Sequence, residues 1–146
     1  MFDFVKTSLM ITKSYLNDLS YRVVGCAIEV HKYLGPGLLE SVYHDCLKQE
    51  LVLQGFNFKS QLVVPVNYKG LSLSTDYRLD FLVEDQMVVE LKAMDGILPV
   101  HEAQLLTYMK LLQKPKGMLI NFNCSNIVKE GVKQMVNEFF SRLPEK

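Results

Sequence analysis

The spacing of apolar residues along this chain changes period twice, and that change restricts the available folds more than any other feature. Between Ser14 and Leu34, the residues Leu16, Leu19, Val23, Cys26, Ala27, Val30 and Leu34 recur every three or four positions, the interval that gathers side chains on one face of an α-helix. Gly35, Pro36 and Gly37 end the pattern. A second helical pattern runs from about Leu39 to Gln54, with Val42, Cys46, Leu47, Glu50 and Leu53 on successive turns and Gly55 at the C-cap position. From Phe56 onward, period two and β-branched residues take over. They predict strands over Gln61 to Tyr68, Leu71 to Thr75 after a Lys69-Gly70 turn, Tyr77 to Val83, and Met87 to Lys92 beyond the polar turn Glu84-Asp85-Gln86. These strands read as an antiparallel meander.

The helical period returns after Gly96, where Val100, Ala103, Leu106 or Thr107, and Leu111 predict a helix that Pro99 opens at its first turn. Lys116 to Phe122 is a compact apolar strand. Ile127 to Leu143 reads as a closing amphipathic helix, with Arg142 to Lys146 as a frayed end. The order helix, helix, strands, helix, strand, helix predicts a layered α/β domain, its sheet flanked by helices. At 146 residues the chain has the length of one domain.

Composition closes off several classes. Hydrophobic residues at 49% and charged residues at 22% exclude a disordered chain. No apolar run approaches the roughly 18 residues that span a bilayer. Met1 to Met10 contains Asp3 and Lys6 and lacks the apolar block and small-residue cleavage site of a signal peptide, so the expected location is cytoplasmic and no membrane partner is expected. Cys26, Cys46 and Cys124 are odd in number and widely spaced, which predicts reduced thiols rather than a disulfide framework or a thiolate metal site. Sixteen basic residues balance sixteen acidic ones, so overall charge supplies no long-range attraction to nucleic acid.

The chemistry concentrates at Asp80, Glu90 and Lys92. Alternate residues of a strand share a face, so Glu90 and Lys92 point one way while Val89, Leu91 and Ala93 point the other. Asp80 joins them only in one hairpin register. A three-residue loop Glu84-Asp85-Gln86 pairs Val83 with Met87 and sets Asp80 opposite Glu90, whereas a two-residue loop pairs Asp80 with Leu91. Two carboxylates facing each other across a pair of strands, with Cβ atoms about 5 Å apart, repel unless a cation or a proton intervenes. With a backbone carbonyl such as that of Leu91 they make a plausible incomplete shell for Mg²⁺ or Mn²⁺, and Lys92 is placed to position water or offset charge on a phosphate. The competing reading is a salt-bridge cluster on a solvated face.

Asp80 followed by Glu90-Leu91-Lys92 resembles the (D/E)-x-K signature of the PD-(D/E)XK nuclease superfamily, with Leu79 where the family's name places a proline. Gly37-Leu38-Leu39-Glu40-Ser41-Val42-Tyr43 spells the GxxExxY motif, and the chain resembles the GxxExxY protein family from about Leu16 to Val136. Glu29-Val30-His31 and the segment from Pro99 to Tyr108 look like that family too. The resemblance implies a restriction-endonuclease-like αβββαβ core with a mixed sheet. It also implies that Glu40, on the helix before the sheet, joins Asp80 and Glu90 as a third metal ligand, as in RecB-like nucleases. Tyr43 shares the face of Glu40, and Gln104 with Tyr108 resembles the QxxxY motif of RecB-like enzymes; Gln104 suits holding Lys92 or a phosphate. His31 and His101 read as local hydrogen-bonding residues, and His44 has no distinguishing context.

The resemblance implies a metal-dependent nuclease that hydrolyses DNA or RNA, with nucleic acid as partner. A homodimer would let a small one-site nuclease cut two strands, although the sequence carries no interface signature. Two readings stand beside it: a nuclease fold kept as a non-catalytic binding or assembly module, and an enzyme for another phosphate-containing substrate.

Overall fold

The computed structural model describes residues 10–146, so the expectation for the segment before Met10 lies outside the described residues. Helix α1, Lys13–Leu34, buries the predicted stripe from Leu16 to Val30. The Gly35-Pro36-Gly37 turn follows, and its glycines adopt positive φ of 68° and 99° that a side chain would resist. Helix α2, Glu40–Leu53, buries Tyr43, Leu47 and Leu51 and ends at Gln54, with Gly55 one residue beyond the cap. Both helices pack on one face of the sheet.

The main sheet has five strands in the order β1-β4-β5-β6-β7. They are β1 (Phe58–Val63), β4 (Arg78–Val83), β5 (Met87–Lys92), β6 (Lys116–Asn121) and β7 (Val132–Val136), and only the β5–β6 pair is parallel. Helix α3, Pro99–Leu112, makes the β5-to-β6 crossover and covers the opposite face. Contact there is close: a Cβ on Gly117 would lie 2.5 Å from Met109 Sδ. The expected mixed α/β domain with helix-flanked sheet is the architecture observed.

Several local expectations fail. On α3 the buried side chains are Leu105, Tyr108 and Met109 while the predicted Val100 and Leu106 are exposed, as are Val42 and Leu53 of α2. The single strand over Gln61 to Tyr68 is divided: β1 ends at Val63, and Val66–Tyr68 (β2) leaves the sheet to pair with Leu71–Leu73 (β3) as a separate hairpin. Pro65, which has no N–H to give a ladder, stands at the break. The closing helix over Ile127 to Leu143 is instead a π-helical turn Ile127–Gly131, strand β7, and a short helix α4, Glu138–Ser141. The outer edge of buried β6 demands a hydrogen-bonded partner, and β7 supplies it with the register Lys116↔Val136 to Ile120↔Val132. Nor does the end of the chain fray. The Pro144 and Glu145 carbonyls accept from the Lys13 and Ser14 amides at 2.9 Å, satisfying donors that the start of α1 leaves open.

Among the described residues no helix is long and apolar enough to cross a membrane. Cys26, Cys46 and Cys124 are free thiols.

Candidate functional site

The register that unites the site is the three-residue one. Val83 pairs with Met87, Leu82 with Val88 and Phe81 with Val89 around Glu84-Asp85-Gln86, where Glu84 and Asp85 take left-handed conformations. The regular ladder stops there, and side chains take over. Glu90 Oε1 accepts from the Asp80 amide at 3.0 Å, and Asp80 Oδ2 accepts from the Leu91 amide at 2.7 Å. Each carboxylate thus has one oxygen tied to the neighbouring strand.

Strand β4 also turns over at Asp80. Leu79 packs beneath α3 while Phe81 packs beneath α1 and α2, although residues two apart would share a face in a regular strand. Opposite it in β1, bracketed by the pairs Ser60↔Phe81 and Leu62↔Leu79, Gln61 has a φ of +54°. The sheet is deformed on both strands where the carboxylate sits.

Burial rules out a solvated salt-bridge cluster. Glu90 is 7% exposed, and Lys92 makes no ion pair or hydrogen bond among the described residues. Burial, then the nearby Asp80 charge, pushes the Glu90 carboxyl up to about 8, with the Asp80 amide and Lys92 opposing and Glu40 adding to the rise. Burial also raises Asp80, opposed by the Leu91 amide, His44, Lys92 and Gln61. Glu40, exposed at the start of α2, is raised by partial burial and by Asp80, with Lys92 and His44 opposing. These couplings bring Glu40, Asp80, Glu90 and Lys92 into one electrostatic neighbourhood.

Tyr108 faces the same neighbourhood from α3. Its phenol is raised by burial, then by Glu90, Tyr77 and Asp80, while Gln104, one turn earlier, tempers the rise by hydrogen bonding. Tyr43 has a different position. It is fully buried, stacked on Phe122 at 4.5 Å, and its hydroxyl donates to the Gly35 carbonyl at 2.5 Å while accepting from the Leu38 amide at 3.2 Å. It anchors the turn that launches Glu40.

Three residues escaped the sequence reading. His44 stacks on Phe81 at 4.4 Å, lies 3.1 Å from Gln61 Nε2 and places Nε2 4.0 Å from Asp80 Oδ1. Its spacing of four from Glu40 was a usable signal, because such residues share a helix face. Gln61 gave none, since its position depends on a backbone conformation that glutamine does not favour. Buried Asn121 accepts from the Met94 and Asn123 amides and donates to the Met94 carbonyl at 2.9 Å, fixing the chain just after Lys92. His101 makes the expected local bond, its Nδ1 accepting from the Leu98 amide at 3.0 Å, whereas His31 does not, its Nε2 lying 2.9 Å from the carbonyl of Cys124, 93 residues away in sequence.

A signature split between two antiparallel strands, followed by a crossover helix carrying Gln104 and Tyr108, is matched by comparison with known families. The sequence model of the PD-(D/E)XK nuclease superfamily matches residues 17–135. The chain belongs to the PD-(D/E)XK nuclease superfamily. Its matched segment runs from α1 to β7 and contains every residue described in the site. No curated protein and no solved structure gives a match. For a member of the PD-(D/E)XK superfamily the test is whether these residues suit a metal. The donor chemistry fits: two desolvated, mutually repelling carboxylates are the oxygen ligands a hard divalent cation takes. Convergence is incomplete, because among the described residues no three His, Cys, Asp or Glu side chains gather closely enough to hold an ion.

Proposed function

We propose that the chain is a divalent-metal-dependent phosphodiesterase that hydrolyses DNA or RNA. The observation that carries the proposal is the reciprocal pair formed by buried Glu90 and half-buried Asp80, both raised in pKa and both within the field of Lys92. Such a pair is costly as a structural device, since burying two carboxylates together disfavours both charges. It becomes favourable when a cation is shared.

In this reading Asp80, Glu90 and Glu40 would hold Mg²⁺ or Mn²⁺, which when bound would polarise a phosphate oxygen and make a water more acidic. Lys92 orients the attacking water and offsets negative charge on the phosphorane-like transition state. Gln104 and Tyr108 support the geometry from α3, while His44 and Gln61 position Asp80. Tyr43 acts through the turn it anchors. The motif from Gly37 to Tyr43 and the Gln104–Tyr108 pair support placement in the GxxExxY group, with RecB-like features. The three free thiols suit a reducing cytoplasm.

Two observations favour a second reading, a nuclease fold that binds or assembles without cutting: Glu40 stands off from the pair, and the chain carries no net charge. Cleavage of labelled DNA and RNA in Mg²⁺ and in Mn²⁺ separates them. Wild type is expected to cleave, and Asp80→Ala and Lys92→Ala each to lose at least about 100-fold. Full cleavage by both variants removes the mechanism, and a wild-type chain that binds neither metal leaves the binding-module reading in its place.

A further inference from the structure

Strand β4 is preceded by an aromatic residue that the metal site does not use. The Val64 amide donates to the Tyr77 carbonyl at 2.8 Å and continues the β1–β4 ladder one rung past Val63↔Arg78, while the Tyr77 amide donates to Thr75 Oγ1 at 3.4 Å. The Tyr77 backbone is held on both sides. Its ring shares the α3 face of the sheet with Leu79 and lies 6.2 Å from the Tyr108 ring at a tilt of 53°. Glu90 and Lys92, which alternate with Val89 and Leu91, point to that same face.

The two tyrosines differ in exposure. Tyr108 is 5% exposed and feels the charges of Glu90 and Asp80, whereas Tyr77 is 54% exposed. They form a pair whose inner ring adjoins the carboxylates and whose outer ring meets water. An aromatic ring on a pinned backbone offers a large contact surface with little conformational entropy to lose on binding. Other exposed tyrosines are placed less well: Tyr21 and Tyr33 lie on α1, across the sheet from Glu90, and Tyr68 has Lys69 Nζ 5.4 Å from its ring centroid.

We propose that Tyr77 is a stacking platform for an unpaired nucleobase and that the chain takes single-stranded nucleic acid as its substrate. The proposal rests on the nuclease reading for the nature of the ligand. Tyr77 stands three residues before Asp80, about 10 Å along an extended strand. A nucleic-acid strand covers that distance in about three nucleotides or fewer, because its phosphates advance by roughly 3.4 Å or more each. A base close to a phosphate held at Asp80 and Glu90 is thus in reach of the ring. Bases in a duplex are already stacked and paired, so a base must leave the helix to meet Tyr77. Charge points the same way. Duplex affinity draws heavily on phosphate neutralisation, and sixteen basic residues against sixteen acidic ones leave no surplus for it. Stacking needs no charge and tolerates every base.

Binding measured without metal keeps the test independent of cleavage. Deoxythymidine and uridine oligonucleotides carrying 2-aminopurine at successive positions are titrated with the full chain in EDTA, both single-stranded and annealed to their complements. Wild type is expected to bind single strands at least about 5-fold more tightly than duplexes and to change the 2-aminopurine fluorescence; the tighter of the two backbones assigns DNA or RNA. Tyr77→Leu keeps an apolar cover on Tyr108 and removes the π-face. It is expected to lose the fluorescence change and to weaken single-strand binding at least about 5-fold, with duplex affinity unaltered. Tyr77→Phe is expected to behave as wild type. A Tyr77→Leu variant that binds and changes the fluorescence as wild type does, equal wild-type affinity for duplex and single strand, or binding to neither overturns the proposal. Cleavage in Mn²⁺ separates this from the nuclease reading. Wild type and Tyr77→Leu that bind and cut single strands alike leave that reading standing and remove the platform, whereas Tyr77-dependent stacking in a chain that cuts nothing keeps the platform and removes the catalysis.

Discussion

Glu90 sets the stability of the metal-free protein against pH in a direction opposite to an ion-paired carboxylate. Its folded carboxyl titrates at about 8, against 4.5 when unfolded. Below pH 4.5 both states hold the proton and the folded state suffers no penalty. As pH rises from 4.5 to about 8 the unfolded chain ionises first, so stability falls through that window. The loss is on the order of a few kcal/mol. Asp80 and Glu40 are raised too and act in the same direction. Glu90→Gln is therefore expected to be more stable than wild type at pH 8.5 without metal and to match it near pH 4.5. Urea midpoints at the two pH values measure this, and an unchanged gap between the proteins would refute the assignment. His44 tests a different link. His44→Phe retains a ring over Phe81 and removes the nitrogen facing Gln61 and Asp80. Cleavage is expected to fall about 10-fold with little change in melting temperature; wild-type cleavage would make that contact dispensable.

The elements show where sequence periodicity suffices and where it does not. Helix α1 was legible because it buries one stripe against a continuous layer, and strand β5 because it is buried on both faces, with Met87, Val89 and Leu91 beneath α1 and α2 and Val88 beneath α3, so that its apolar run matches its tertiary environment. The register at Glu84-Asp85-Gln86 was legible as a choice between two loops, and the structure has the one that faces Asp80 to Glu90. The segment after Ile127 was not legible. Val132, Met135 and Val136 fit a helical spacing as well as an edge strand, and the need of β6 for a partner decides between them, a long-range fact outside any window of sequence. Likewise Gln61 enters the site through a strained conformation that the strand pattern conceals. The C-terminal carbonyls that cap α1 belong to the same kind of information. Removing Pro144, Glu145 and Lys146 leaves the Lys13 and Ser14 amides to water, and an expected loss of about 0.5–2 kcal/mol follows. A chemical denaturation midpoint identical to that of the full chain would show that the cap contributes nothing.

At the scale of the whole molecule, the two faces of the sheet meet the site from opposite sides: Glu40 and His44 come from the α1–α2 layer, Gln104 and Tyr108 from the α3 layer, and Asp80 with Glu90 from the sheet between them. A cation bound there would tie the layers together and stabilise the fold by mass action. Its affinity must also depend on pH, since ligand carboxylates bind metal only when deprotonated. With Glu90 titrating at about 8 in the free protein, a proton competes for the site throughout the neutral range. Apparent affinity for Mn²⁺ is thus expected to rise between pH 6 and pH 8, by up to about 10-fold per pH unit for one displaced proton, and to level off above. Glu90→Gln is expected to lose both the affinity and its slope. Calorimetric titration in buffers of different ionisation enthalpy reads both quantities, the proton released on binding and the affinity. Binding in wild type that neither releases protons near pH 7 nor strengthens toward pH 8 would place the metal somewhere other than the Asp80–Glu90 pair.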